Sequence, residues 1–238
     1  MSLREHLPTV ATLGNVMAGF AACGFVVTDR PALAALMLLV GVLMDSLDGT
    51  LARSLRATSD LGAEMDSLAD MVSFGVAPAI LAGSLMPHEA FPASWLLISV
   101  YPLCAAWRLA RFNASRHDSV DVSSEFLGLP STGAGAAAAT TVLVYLRLAD
   151  ANLLSGTLFL PFVMAALGAL MVSRIAYKHA GAIIAGLNPI LAGFLAALFI
   201  AGTVLWEYEF LFAGLMWSYV LYAPLLSARH LLHAARHA

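Results

Sequence analysis

The sequence predicts an all-α polytopic integral membrane protein of about eight transmembrane helices. Three observations predict it: composition, a recurrence of apolar windows, and a one-sided distribution of basic residues. The 238 residues are 61% hydrophobic and 11% charged, with a mean hydropathy of +0.84. Soluble domains are typically about 45–50% apolar and about 25% charged. Hydrophobic windows of roughly 17–25 residues, the length that crosses a bilayer, fall near 8–28, 31–53, 61–86, 93–113, 131–149, 155–173, 183–205 and 209–227.

The first window begins like a signal peptide, with Arg4 ahead of an apolar run, but further spans follow and it reads as a retained helix. The third, fourth and seventh contain Pro78, Pro102 and Pro189, which membrane helices tolerate as kinks or starts. Of the 12 Lys and Arg residues, ten lie at the N-terminus, the second, fourth and sixth connections and the C-terminus, leaving Arg30 and Arg147 on the other side. This asymmetry places both termini and the even-numbered connections in the cytoplasm. The polar stretch 113–126 is then a cytoplasmic loop, and Glu207 and Glu209, beside Trp206 and Tyr208 at the far boundary, need only be solvated. The "ARHLLHAARHA" tail places His230, His233 and His237 on one face of an interfacial helix. A net charge of −3 gives no reason to expect a nucleic-acid partner. Cys23 and Cys104 sit apart in apolar runs, which suits helix packing rather than a disulfide framework or a zinc site.

Four aspartates interrupt this apolar pattern. Asp45 and Asp48 are three apart near the end of the second span, and Asp66 and Asp70 are four apart at the start of the third. Each pair therefore shares a helix face. A short turn at about 54–60 makes the two helices antiparallel neighbours, so the pairs converge near the cytoplasmic surface if their faces meet. An Asp at the centre of a membrane helix costs about 2.5–3.5 kcal/mol on insertion scales, and clustered carboxylates repel one another. Protonation or a cation answers both costs. Hard oxygen ligands without nearby His or Cys suit Mg²⁺, Mn²⁺ or Ca²⁺, and two ions per site are expected, an arrangement that clamps phosphoryl groups. Gly49 and Ala52 lie on or beside the acidic face and Gly62 one turn before Asp66, where missing side chains admit a ligand or another backbone. Arg53 can pair with phosphate or with an aspartate.

The segment Asp45-x2-Asp48-Gly49-x2-Ala52-Arg53-x8-Gly62-x3-Asp66-x3-Asp70 resembles the signature of the CDP-alcohol phosphatidyltransferases at all eight positions. The resemblance implies a six-helix core, a divalent-metal site with Mg²⁺ or Mn²⁺, a cytidine-nucleotide lipid donor and often a homodimer. It assigns Asp45, Asp48, Asp66 and Asp70 to metal, Asp70 also to general-base catalysis, and Gly49, Ala52, Arg53 and Gly62 to the nucleotide and pyrophosphate. Further stretches, "TLGNVMAGF" at 12–20, "DSLADMVSFGVAPA" at 66–79, "RLARFN" at 108–113, "FLGLPSTGAG" at 126–135 and "LMVSRIAYK" at 170–178, are similar to the branch that uses L-serine as acceptor. Asn15 joins the nucleotide set on that basis. Thr132 departs from a proline common in that branch.

The implied reaction moves the phosphatidyl group of CDP-diacylglycerol to the serine hydroxyl and releases CMP. The expected organisation is one transmembrane catalytic domain over 1–238, with a core at about 8–205 and a last helix and tail at 206–238, in a bacterial inner membrane with its active site cytoplasmic. Arg108 and Arg111, three apart, with Asn113, Ser131 and Thr132, are the expected acceptor pocket, although arginines at such a helix end also serve as positive-inside anchors. Glycerol 3-phosphate, inositol phosphate or choline are alternative acceptors. A cation transporter using the aspartates is the alternative of another class; confinement of the acids to two adjacent helices near one surface argues against it.

Overall fold

The computed structural model describes residues 3–55, 60–90, 92–117, 125–154, 156–178 and 208–236. The described chain is a bundle of membrane helices: α1 (Leu3–Val27), α2 (Pro31–Leu55), α3 (Asp60–Asp70), a π-helical turn (Met71–Val76) leading into α4 (Ala77–Ser84), α5 (Ala93–His117), α6 (Ser131–Asp150), α7 (Leu160–Val172) and α8 (Tyr208–Arg236). Five of its helical spans are long and apolar enough to cross a membrane; Pro31–Leu47 and Leu160–Val172 are shorter apolar helices. Seven of the eight windows thus coincide with helix, and the one at 183–205 lies outside the described residues. α8 is continuous from the last window into the tail, through Pro224.

The ends of α1 and α6 that lie away from the aspartates close in the same way. Asp29 and Asn152 adopt left-handed backbone, with φ of 56° and 57°. Arg30 N–H donates to the Phe25 carbonyl at 2.8 Å and Leu153 N–H to the Leu148 carbonyl at 2.9 Å. These six-residue closures satisfy carbonyls that the last helical turn leaves open.

Helix α6 runs through the middle of the bundle. It packs on α2 along one side and on α8 along another, while α1 pairs with α2 and α5 with α7. Its run of small residues, Ala134–Ala139 with Gly135 among them, is buried throughout, which lets neighbours approach closely where lipid offers no hydrophobic driving force.

Two departures from expectation bear on the site. Helices α2 and α3 are not close antiparallel neighbours. α2 packs against α1, α6, the π-helical turn and α4 but makes little contact with α3 among the described residues. α3 packs instead on α1 and α5, and the acids of α2 and α3 meet only at their side-chain tips. The stretch expected as one cytoplasmic loop also contains regular structure. α5 continues to His117, and Glu125–Leu127 (β1) pairs antiparallel with Ala176–Lys178 (β2), Phe126 opposite Tyr177. Buried Tyr177 donates its hydroxyl to the Val220 carbonyl at 3.0 Å. Burial pushes that phenol up to about 12, so it remains a donor at neutral pH. Gly128 turns the chain from β1 toward α6 at φ +87°, where a Cβ would stand 3.0 Å from the Ser173 carbonyl oxygen and nearer still to that of Met171. Glu209, expected in water, is only 8% exposed, and its Oε2 has no hydrogen-bond partner among the described residues.

Candidate active site

The site forms where the C-terminal half of α2, the end of α3 and the start of α6 meet. One carboxylate oxygen from each of Asp45, Asp66 and Asp70 lies within 4.8 Å of the other two. Opposite ligands on an ion with bonds of 2.0–2.6 Å stand about 4–5 Å apart, so the three oxygens fit one divalent cation. Asp45 and Asp66 are half-buried, whereas Asp70 is 8% exposed. The donor set is all oxygen, which suits a hard cation. Asp48 lies one turn further along α2, with its side chain outside the described residues, as are those of Ala52 and Arg53. Gly49 and Gly62 are half-buried in α2 and α3 beside the cluster.

The surroundings fix these carboxylates. Ser131 Oγ donates to Asp70 Oδ2 at 2.9 Å, and Asn15 Nδ2 donates to Asp70 Oδ1 at 3.4 Å. Next to Ser131, Thr132 Oγ1 donates to Asp45 Oδ2 at 3.2 Å. The first two residues of α6 thus hold one acid from α2 and one from α3. They also set the N-terminus of a 20-residue helix beside the negative cluster, the end whose dipole favours negative charge. Arg108, 7% exposed, donates from Nη1 to Ser131 Oγ at 3.0 Å. A buried guanidinium, a hydroxyl and a buried carboxylate therefore form one chain.

The other expected residues separate. Asn15 is 1% exposed; its Nδ2 donates to Asp70, and its Oδ1 has no hydrogen-bond partner among the described residues. Arg111 donates to the carbonyls of Leu127 at 2.8 Å and Val172 at 3.4 Å, tying α5 to β1 and the end of α7. Asn113 donates to Glu64 Oε2 at 3.1 Å and accepts from Ser67 Oγ at 2.9 Å. Asn113 thus bonds Glu64 and Ser67 rather than the aspartates, beside a cavity of about 220 Å³ between α3 and α5. Helical spacing located the acids. The supporting serine, threonine and asparagine bonds come from other helices, and no spacing rule reaches across 61 or 87 positions.

The fold and this site define a class: a polytopic helical membrane protein with a cluster of carboxylates, of a donor chemistry that fits a hard cation, at the start of α6. The chain belongs to the CDP-alcohol phosphatidyltransferase family, whose sequence profile matches residues 5–223. Among its relatives, the CDP-diacylglycerol–serine O-phosphatidyltransferase of Mycobacterium leprae (strain TN) is 34% identical over 177 residues, covering 73% of this chain and 58% of the relative. The protein of the same name from Bacillus subtilis (strain 168) is 31% identical over 175 residues, 74% of this chain and 91% of the relative. That of Helicobacter pylori (strain ATCC 700392 / 26695) is 34% identical over 175 residues, 72% and 71%. The match spans only about three fifths of the mycobacterial relatives' length.

Proposed function

We propose that this protein is an enzyme that transfers the phosphatidyl group of CDP-diacylglycerol to the hydroxyl of L-serine, giving phosphatidylserine and CMP. The observation that carries the reading is the convergence of Asp45, Asp66 and Asp70, with both oxygens of Asp70 held in place. Family membership supports the phosphatidyl transfer, and the names of the relatives support serine as acceptor.

Asp45, Asp66 and Asp70, with Asp48 one turn away on α2, would hold one or two Mg²⁺ or Mn²⁺ ions. Bound there, a divalent cation supplies charge neutralisation for the donor's pyrophosphate. The rest falls to the chain's own groups. Each carboxylate oxygen has two acceptor directions. Asn15 and Ser131 use one on each oxygen of Asp70 and leave one on each for the serine proton. The serine oxygen attacks the phosphatidyl phosphorus as Asp70 takes that proton, and the bond from phosphorus to the CMP oxygen breaks. A carboxylate is too weak a base to ionise a free hydroxyl, so proton transfer accompanies attack. Arg108, buried beside Ser131, offers a guanidinium fork for the serine carboxylate, and Ser131 and Thr132 add hydroxyls. Arg53, Gly49, Ala52 and Gly62 line the nucleotide side. The proposed setting is a bacterial inner membrane, with termini and active site in the cytoplasm and the enzyme a homodimer.

The decisive experiment gives purified protein CDP-diacylglycerol, Mn²⁺ or Mg²⁺ and a panel of labelled alcohols, and scores the lipid product. Phosphatidylserine is expected, abolished by EDTA and restored by the divalent ion. Preference for glycerol 3-phosphate, inositol phosphate or choline overturns the acceptor, and full turnover in chelator overturns the metal centre.

A further inference from the structure

The π-helical turn Met71–Val76 begins at the residue after Asp70. Its cause is written in the sequence. Pro78 has no N–H, so the Phe74 carbonyl four residues earlier loses its helical donor. Inside a bilayer no water replaces it. The chain answers in two ways. The turn widens, with Ala77 N–H reaching back five residues to the Val72 carbonyl. Tyr101 of α5, fully buried, donates its hydroxyl to the Phe74 carbonyl at 2.8 Å.

A second hydroxyl grips the same turn. Buried Ser73 donates from Oγ to the backbone carbonyl of Asn15 at 2.7 Å. Two glycines let the neighbouring helices seat against it: a Cβ on Gly19 would stand 2.7 Å from Ser73 Cα, and one on Gly135 would stand 2.8 Å from the Phe74 ring. Asn15 joins this clamp to the acid, because its backbone receives Ser73 and its side chain donates to Asp70. One extra residue in a turn rotates the helix before it by about 100° relative to the helix after it. α4 is anchored by buried contacts, so the width of the turn decides which way the Asp66–Asp70 face points.

We propose that Tyr101 and Ser73 are positioning residues, which clamp the wide turn and so set the rotation of α3 that brings Asp66 and Asp70 to Asp45. Tyr101 acts through the Phe74 backbone and Ser73 through Asn15. The consequence for metal affinity rests on the carboxylates being the metal centre proposed above; the clamp itself does not.

The test compares full-length wild type with Tyr101→Phe, Ser73→Ala and Trp217→Phe by Mn²⁺ titration and by backbone hydrogen exchange over residues 71–76. Trp217→Phe is a control that removes a different interhelical bond, from Nε1 to Thr141 Oγ1 at 2.9 Å. Tyr101→Phe is expected to speed exchange across the turn and weaken Mn²⁺ binding at least about tenfold, the low end for lost support behind metal ligands. Ser73→Ala should move both in the same direction, and it carries the test alone if Tyr101→Phe fails to fold. Trp217→Phe should match wild type in both. Unchanged exchange over 71–76 overturns the proposal, as does unchanged Mn²⁺ affinity, or an equal loss in the control. Wild type that binds no Mn²⁺ removes the metal-centre reading instead, while exchange still decides whether the hydroxyls hold the turn.

Discussion

Asp70 has both oxygens engaged by neutral donors while two other acids face it. In the proposed mechanism Asp70 is a ligand and a base in one residue, so Asp70→Asn should lower transfer by at least about 10²-fold, the low end of general-base contributions. The protein should remain in the membrane. CMP release near the wild-type rate would remove the base assignment. The two arginines were indistinguishable in sequence, three apart on one helix, and the structure separates them. Arg108 reaches the acids through Ser131; Arg111 holds two backbone carbonyls. Arg108→Lys loses the fork and should raise the serine KM about tenfold or more, the scale of one charged hydrogen bond. Arg111→Lys should lower the melting temperature and leave the serine KM alone. A serine KM that rises in both variants, or only in the second, reverses the assignment. Spacing exposed the acids because helix periodicity puts such residues on one face. It could not rank Arg108 against Arg111, since their difference lies in partners from other helices.

At the scale of elements, the small two-stranded sheet of β1 and β2 sets where α6 begins, and α6 delivers Ser131 and Thr132 to the acids. Gly128 is the joint. An alanine there must adopt left-handed backbone, at a cost of about 1–2 kcal/mol, and its Cβ meets the carbonyls of Met171 and Ser173, which cannot turn aside. Gly128→Ala should therefore lower both the melting temperature and the affinity for Mn²⁺, because α6 shifts with the joint. A stable variant with unaltered Mn²⁺ binding would show that the β1–β2 pair does not set the start of α6. The long apolar helices were legible because each carries its own signal in length and hydropathy. The three-residue strands carry almost none: each is defined by pairing with a segment some fifty positions away. The π-helical turn left one visible mark, Pro78 inside an apolar span, which reads as a kink. Its widening depends on the hydroxyl that Tyr101 brings from α5.

For the whole molecule, the question is which side of the membrane the carboxylates face. The asymmetry of basic residues predicts the cytoplasm, and the proposed chemistry asks for the same thing. The donor's acyl chains belong in lipid, while serine and CMP are polar solutes that enter and leave through water. A centre at the end of the bundle, with Asp45 and Asp66 half-buried and Asp70 behind them, can serve both phases; one at mid-membrane could not. Helix α5 offers a direct test, because its two ends flank one span and both have exposed positions, Glu89 just before it and Ser115 near its end. With Cys23 and Cys104 replaced by alanine, Glu89→Cys should react with an impermeant maleimide added to intact cells, and Ser115→Cys only after the membrane is opened or inverted. Labelling of Ser115→Cys from outside would turn the molecule over. The acids would then face a compartment into which serine must be exported before it could react, and the assignment of serine as acceptor would lose its physical basis along with the topology.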